Sequence, residues 1–126
     1  MRVYYEDTDA AGVVYYANYL KYLERARTEW LAALGHPLAE LERAHGIVFV
    51  VRRVAVDYRA PARHSDLLDV GMTVETVGRA SIVARQDVRR GDDVLVEARV
   101  ELACVDAAQW KLRRIPIPLT ARRTAS

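Results

Sequence analysis

The chain has 126 residues, 52% of them apolar and 29% charged, which excludes disorder and fits one globular domain with a real core. Its 19 basic and 17 acidic residues leave a net charge of +2, too balanced to suggest nucleic-acid binding. The single cysteine, Cys104, excludes an internal disulfide, and neither a membrane-length apolar run nor a charged leader appears, so a cytoplasmic protein with no transmembrane segment is expected.

Arg2 to Tyr5 can form a short strand, followed by a small polar turn that carries Asp9 and Gly12. From Ala17 to Leu34, the residues Tyr19, Leu23, Ala26, Trp30 and Leu34 recur at spacings of four, three, four and four. That is one stripe of a helix, which Leu20 and Leu31 widen. Asn18 is the candidate N-cap, and Gly35 before His36-Pro37 is a stop signal. Pro37 at a first helical position opens a second, short helix through Ala44, which Gly46 ends.

After Gly46 the period changes to two. Val50, Arg52, Val54, Val56 and Tyr58 alternate with Val51, Arg53, Ala55, Asp57 and Arg59. Leu67 to Val77, Ile82 to Arg89 and Val94 to Val105 follow as strands. In the last, Val94, Val96, Ala98, Val100, Leu102 and Cys104 share one face, with Glu97, Arg99 and Glu101 on the other. Cys104 in that pattern reads as a small buried apolar residue. Gly78-Arg79-Ala80 and Arg90-Gly91-Asp92 are hairpin loops, and Asp106-Ala107-Ala108 is a third turn. A fifth strand is expected from Trp110 to Ile115, before Pro116 and Pro118, and residues 121–126 as a frayed tail.

One long helix needs burial, and a single curved sheet is what remains to bury it. The expected fold is α+β, an antiparallel sheet of about five to six strands wrapped round one long central helix, the hotdog architecture, as one domain over residues 1–126. One such sheet leaves an edge and a face to cover, so a homodimer or homotetramer is expected.

The chemistry concentrates in residues 3–30. Asp9, in a turn between a short strand and the long helix, aims a carboxylate and the free N–H groups of a helix start at one point, which could hold a carbonyl under attack. Arg2-Val3, then Thr8-Asp9-Ala10-Ala11-Gly12-Val13-Val14-Tyr15, and on through Asn18-Tyr19 to Glu24-Arg25-Ala26-Arg27, resembles the 4-hydroxybenzoyl-CoA thioesterase family, and within it the YbgC-like acyl-CoA thioesterase branch. The resemblance implies a hotdog dimer that joins two sheets edge to edge and hydrolyses acyl-CoA, with no cofactor. It also implies that Asp9 is the catalytic carboxylate and that the backbone N–H of Tyr16, at the helix start, meets the thioester carbonyl. Many YbgC-like relatives carry histidine where this chain has Tyr16, whereas the 4-hydroxybenzoyl-CoA enzymes carry tyrosine. Tyr5 matches a tyrosine common in the YbgC-like group.

A thioester needs little help: one carboxylate, one or two N–H donors for the developing oxyanion, and an acyl slot. Asp9 can attack directly or act as a base on water, and both routes fit. Gly12, with Ala10 and Ala11, lets the backbone pass close to substrate, and Tyr15 and Tyr16 are candidates to line the slot. Glu6 and Asp7 read as exposed loop charges, and Glu24 as part of a surface ion network with Lys21 and Arg27, ahead of a catalytic use. His36, His45 and His64 lack metal-ligand spacing, and the chemistry calls for no metal. No histidine precedes His36, which weakens a dehydratase reading. Arg85, Arg89 and Arg90, or Lys111, Arg113 and Arg114, are two unassigned cationic clusters for CoA phosphates. The competing reading is a dimer that binds acyl carrier protein or a cell-envelope complex of the Tol–Pal type, with hydrolysis incidental.

Overall fold

A helix lies against one face of an antiparallel sheet, and the sheet order follows from short connections. The structure, a computed structural model, describes residues 16–63, 65–119 and 123–125. Its elements are α1 (Tyr16–Ala33), α2 (Leu38–His45), β1 (Ile47–Tyr58), β2 (Asp69–Val77), β3 (Ser81–Arg90), β4 (Asp93–Asp106) and β5 (Arg123–Ala125). The sheet runs β1-β4-β3-β2-β5, and every neighbouring pair is antiparallel. This is the α+β hotdog arrangement, with four long strands and one of three residues. The expected strand at Arg2–Tyr5 lies outside the described residues.

α1 buries Tyr19, Tyr22, Leu23, Ala26, Trp30 and Leu31. Leu34, at the end of the expected stripe, is half-buried, and Leu20 is exposed, because one residue past Tyr19 is about 100° round the helix. Tyr22 takes its place, three residues after Tyr19 and on the same side. Tyr16 and Ala17 are already helical, so Asn18 is an interior residue and cannot be the N-cap. Tyr16 and Ala17 contain no breaker, and the helix runs through them.

At the other end, the His36 amide donates to the Leu31 carbonyl and the Gly35 amide to Ala32, with Gly35 at φ 88°. That pair of bonds is the glycine-dependent helix stop expected here. Pro37 is the residue before α2 rather than its first helical one: its ψ of 149° is extended, and its carbonyl accepts from Glu40 and Leu41. Gly46 closes α2 in the left-handed region, φ 65°.

Hairpins β2–β3 and β3–β4 form at the expected loops, the second a two-residue turn with Gly91 at φ 60°. Inward alternation holds along β4 from Val96 to Leu102. At its start, the pairing shifts between Val88 and Arg89, so Leu95, not Val94, is the fully buried residue. Cys104 is buried as expected, and burial pushes its thiol pKa up.

Two expectations about the C-terminal part need correction. Residues 110–115 do not form a strand; they make one isolated bridge, Val105 to Leu112. β3 ends its pairing at Ser81 opposite Ala103; beyond it the Cys104 amide still donates to the Ala80 carbonyl, while the Cys104 carbonyl accepts from the Arg113 amide and the Asp106 amide donates to the Lys111 carbonyl. Trp110 reverses the chain at φ 59°, and the Asp106 carboxylate caps that turn by accepting from the Ala108 and Gln109 amides, bonds that hold its pKa low. The tail is not frayed at Arg123–Ala125, which pairs with Gly71–Thr73 of β2.

A hydrogen bond ties the segment that follows β1 to α1. The Ala62 amide donates to the Tyr19 hydroxyl at 2.7 Å, in a buried setting. Burial raises the Tyr19 pKa, an effect the Ala62 bond opposes. Tyr19→Phe would leave the Ala62 N–H buried without its acceptor. It should cost about 1–3 kcal/mol, measured as a lower urea midpoint with unchanged slope; an unchanged midpoint would show that the bond contributes nothing.

Candidate functional site

Tyr16 is the first described residue of α1; amides in the first turn of a helix have no partner inside it and lie at the positive end of its dipole. Tyr5, Asp9, Gly12 and Tyr15, with Glu6 and Asp7, lie outside the described residues. The site can therefore be built from the α1 side.

Within the first two turns of α1, aromatic rings collect. The Tyr19 ring meets Tyr22 edge to face at 6.1 Å and Tyr58 of β1 at 5.7 Å. Such pairs add modestly to the area they bury and hold the rings in place. Behind Tyr19, the chain from Arg59 to Asp66 turns back. The Arg59 and Ala60 amides donate to the Leu95 carbonyl, left unpaired by the β4 bulge. Asp66 then closes the turn by accepting from the Arg63 amide at 2.8 Å and from Arg90 at 3.0 Å. Burial pushes the Asp66 carboxyl pKa up, but these two bonds outweigh it and the net shift is down. Asp66 is thus a structural carboxylate, committed to two donors.

The β1–β4 register puts Val51, Val54, Val56 and Tyr58 opposite Leu102, Val100, Ala98 and Val96, which are all buried on the helix side. Yet Val51, Val54 and Tyr58 are 47%, 46% and 42% exposed. α1 therefore leaves an apolar strip along β1 uncovered. Among the described residues, β1 is also an edge strand, hydrogen-bonded only to β4.

The other sequence candidates separate. Glu24 is exposed, and its carbonyl accepts from Thr28 one turn on. No ion pair joins it to Lys21 or Arg27. Of the first cationic cluster, Arg85 pairs with Glu75, Arg89 with Asp87 and Arg90 with Asp66. Arg85 belongs to the face away from α1, where a depression of about 420 Å³ is lined by Asp57, Asp87, Glu97, Arg85 and Arg99 among others, charges that largely offset one another. In the second cluster, Arg113 is taken up by Asp106 and the His45 carbonyl, whereas Lys111 and Arg114 are exposed.

One arrangement was missed from the sequence. Gln86 is 2% exposed, in phase with the inward residues Ile82, Ala84 and Val88 of β3. Its side-chain N–H donates to the Leu23 carbonyl at 2.9 Å, and its oxygen accepts from Arg27 at 2.8 Å. Both partners are on α1. A polar residue at an inward strand position was the available signal.

Among the described residues, no helix is long and apolar enough to cross a membrane. The thioesterase superfamily profile matches residues 11–101. The chain is 45% identical over 111 residues to the acyl-CoA thioesterase YbgC of Haemophilus influenzae, covering 88% of this chain and 82% of that protein. It is 41% identical over 122 residues to the acyl-CoA thioester hydrolase YbgC of Escherichia coli O6:H1, covering 96% and 90%. A probable thioesterase from Bartonella henselae superposes with a TM-score of 0.86 at 35% identity, covering 92% of this chain and 95% of that one. Fold, extent of match and identity agree: the chain belongs to the thioesterase superfamily, in its YbgC-like branch.

Proposed function

We propose that the protein hydrolyses acyl-CoA thioesters to the free acid and CoA, with Asp9 as the reacting carboxylate and the Tyr16 amide as donor to the thioester carbonyl. The observation that carries this reading is a helix whose first described residue is Tyr16, seven residues after Asp9 in a match that spans most of the chain. As the carbonyl carbon becomes tetrahedral, negative charge gathers on its oxygen. An N–H at a helix start is fixed before the reaction and points outward, so it stabilises that charge with little reorganisation. Asp9 either attacks the carbonyl itself, giving a mixed anhydride that water then hydrolyses to the free acid and the regenerated carboxylate, or takes a proton from the attacking water; on either route the thiolate of CoA leaves. Tyr5, Gly12 and Tyr15 belong to the same loop and helix approach and are assigned to substrate. Acyl carrier protein remains the alternative thioester carrier.

The protein is proposed to act as a dimer paired through the β1 edge. Antiparallel pairing of two β1 strands about Ala55 sets Arg53 of each copy opposite Asp57 of the other, and Val54 opposite Val56. It joins charges of opposite sign and brings together the exposed strips of Val51, Val54 and Tyr58.

Free thiol release from short aliphatic, long aliphatic and aromatic acyl-CoAs tests the reaction. Asp9→Asn should fold normally and lose about a hundredfold or more in kcat; parent-like turnover would remove Asp9 from the mechanism. No turnover by the parent, with capture of acyl carrier protein, would replace hydrolysis with the binding reading.

The amide is tested by Tyr16→Pro, which deletes an N–H at a position where a helix tolerates proline. A loss of about 10²–10³ in kcat is expected, with Tyr16→Phe close to the parent. Equal activity in the two variants would rule out the amide.

Light scattering should give a dimer or a multiple of it. Ala55→Cys should cross-link two copies on oxidation while the parent, whose Cys104 is buried, does not. A monomeric parent would overturn the pairing.

A further inference from the structure

We infer that Gln86 is a positioning residue for the reaction: it fixes where α1 lies along the sheet and thereby where the Tyr16 amide stands. The inference rests on the proposed role of that amide.

Among the described residues, Gln86 is the single buried side chain that carries an amide or a charge. It stands in the middle of the sheet, paired across to Met72 on β2 and Ala98 on β4. An apolar side chain of similar size there would avoid the cost of burying an amide. What the amide supplies instead is direction. The rest of the α1–sheet contact is apolar, made by residues such as Leu23, Ala26, Met72, Ala84 and Val88. Such contact is set by area and tolerates a small slide of the helix. The two Gln86 bonds do not, since a shift of about 1 Å takes an N–H···O distance out of the bonding range.

Both bonds end on α1, at 2.9 Å to the Leu23 carbonyl and at 2.8 Å from Arg27, one turn apart. Together they resist translation along the helix axis and rotation about it. Leu23 is seven residues from Tyr16, about 10 Å along a rigid helix, so an error at Leu23 is carried to the amide undiminished. Reaction rates are steep in such errors: about 1 Å of misplacement can cost 10²-fold. Arg27 is half-buried, and desolvation lowers its pKa. Its guanidinium bonds the neutral Gln86 oxygen, and no carboxylate of the described residues forms an ion pair with it. The bond therefore serves placement rather than charge balance.

The test is steady-state thiol release on one short acyl-CoA, with thermal unfolding run in parallel. Gln86→Met removes both bonds at similar volume and should lower kcat tenfold or more while KM changes less than threefold. Gln86→Glu keeps the acceptor for Arg27 and loses the donor to Leu23, and should fall between the parent and Gln86→Met. Arg27→Met alters a half-buried residue, keeps the Gln86–Leu23 bond, and should lower kcat severalfold; it decides the matter if Gln86→Met does not fold. A lower unfolding temperature with kcat unchanged, or a change confined to KM, would make Gln86 merely structural and overturn the proposal. Asp9→Asn is assayed alongside. Full activity in that variant overturns the carboxylate assignment alone, whereas unchanged kcat in the Gln86 and Arg27 variants overturns the positioning role alone.

Discussion

The contact between α1 and the hollow face of the sheet determines most of what this protein is. An 18-residue helix is marginal in water by itself. Burial of Tyr19, Tyr22, Leu23, Trp30 and Leu31 makes it stable, at roughly 1.5–3 kcal/mol for each large side chain as an upper estimate. The sheet gains equally. Its inward residues, from Val70 and Met72 through Ala84, Val88, Ala98 and Val100, share one buried cluster with that helix. But burial is a force without direction. It holds a helix against a sheet and says little about where along the sheet the helix stops. In a protein whose chemistry is assigned to the first amide of that helix, the stopping point is the variable that matters. The structure places a buried amide, Gln86, where it can set it.

On the proposed mechanism, a helix start also explains why so little machinery is needed. A thioester already has a good leaving group, and the residual problem is charge on the carbonyl oxygen. A helix start meets it with backbone alone, which frees the side chains there for shape. That division is consistent with a tyrosine at position 16: on this reading the amide acts and the ring is free to vary. Tyr19 has a different task. Its ring packs on Tyr58 and Tyr22, and its hydroxyl holds the Ala62 amide. The turn that follows β1 is thereby bound to the same end of the helix. Asp66, fixed by Arg63 and Arg90, closes that turn and is not available as a second acid.

Much of this was legible in the sequence because it depends on local rules. The helix stop at Gly35, the left-handed Gly46 and the Gly91 hairpin each follow from what glycine alone adopts easily. The α1 stripe and the β4 alternation follow from period. The errors fall where tertiary partners decide. Nothing local shows that β3 stops opposite Ala103, leaving ladder positions that residues 111–113 fill without becoming a strand, or that β5 pairs with β2. Asn18 suits a cap by type, yet the helix continues two residues past it. Leu20 lies near the apolar stripe and still faces water. The Asp9 loop could be recognised as a pattern, but Gln86, to which the placing of its helix is assigned, lies 63 residues after its partner Leu23.

The edge at β1 extends the same reasoning beyond one chain. α1 lies toward β2 and β3, and Val51, Val54 and Tyr58 on the helix-side face of β1 remain half exposed. Tyr58 is the link: its ring touches Tyr19, which stands one turn from Tyr16. On the proposed pairing about Ala55, the second copy reaches the strip that ends at this ring, so it covers apolar surface close to the amide assigned to the oxyanion. Excluding water there would strengthen the bond between amide and oxyanion, since fixed dipoles act more strongly at low dielectric. Dimerisation would then contribute to catalysis by way of the wall around the amide rather than by lending a catalytic group. A variant that separates the copies, such as Val54→Lys on the exposed strip, would accordingly lose turnover while each chain stays folded around its own helix.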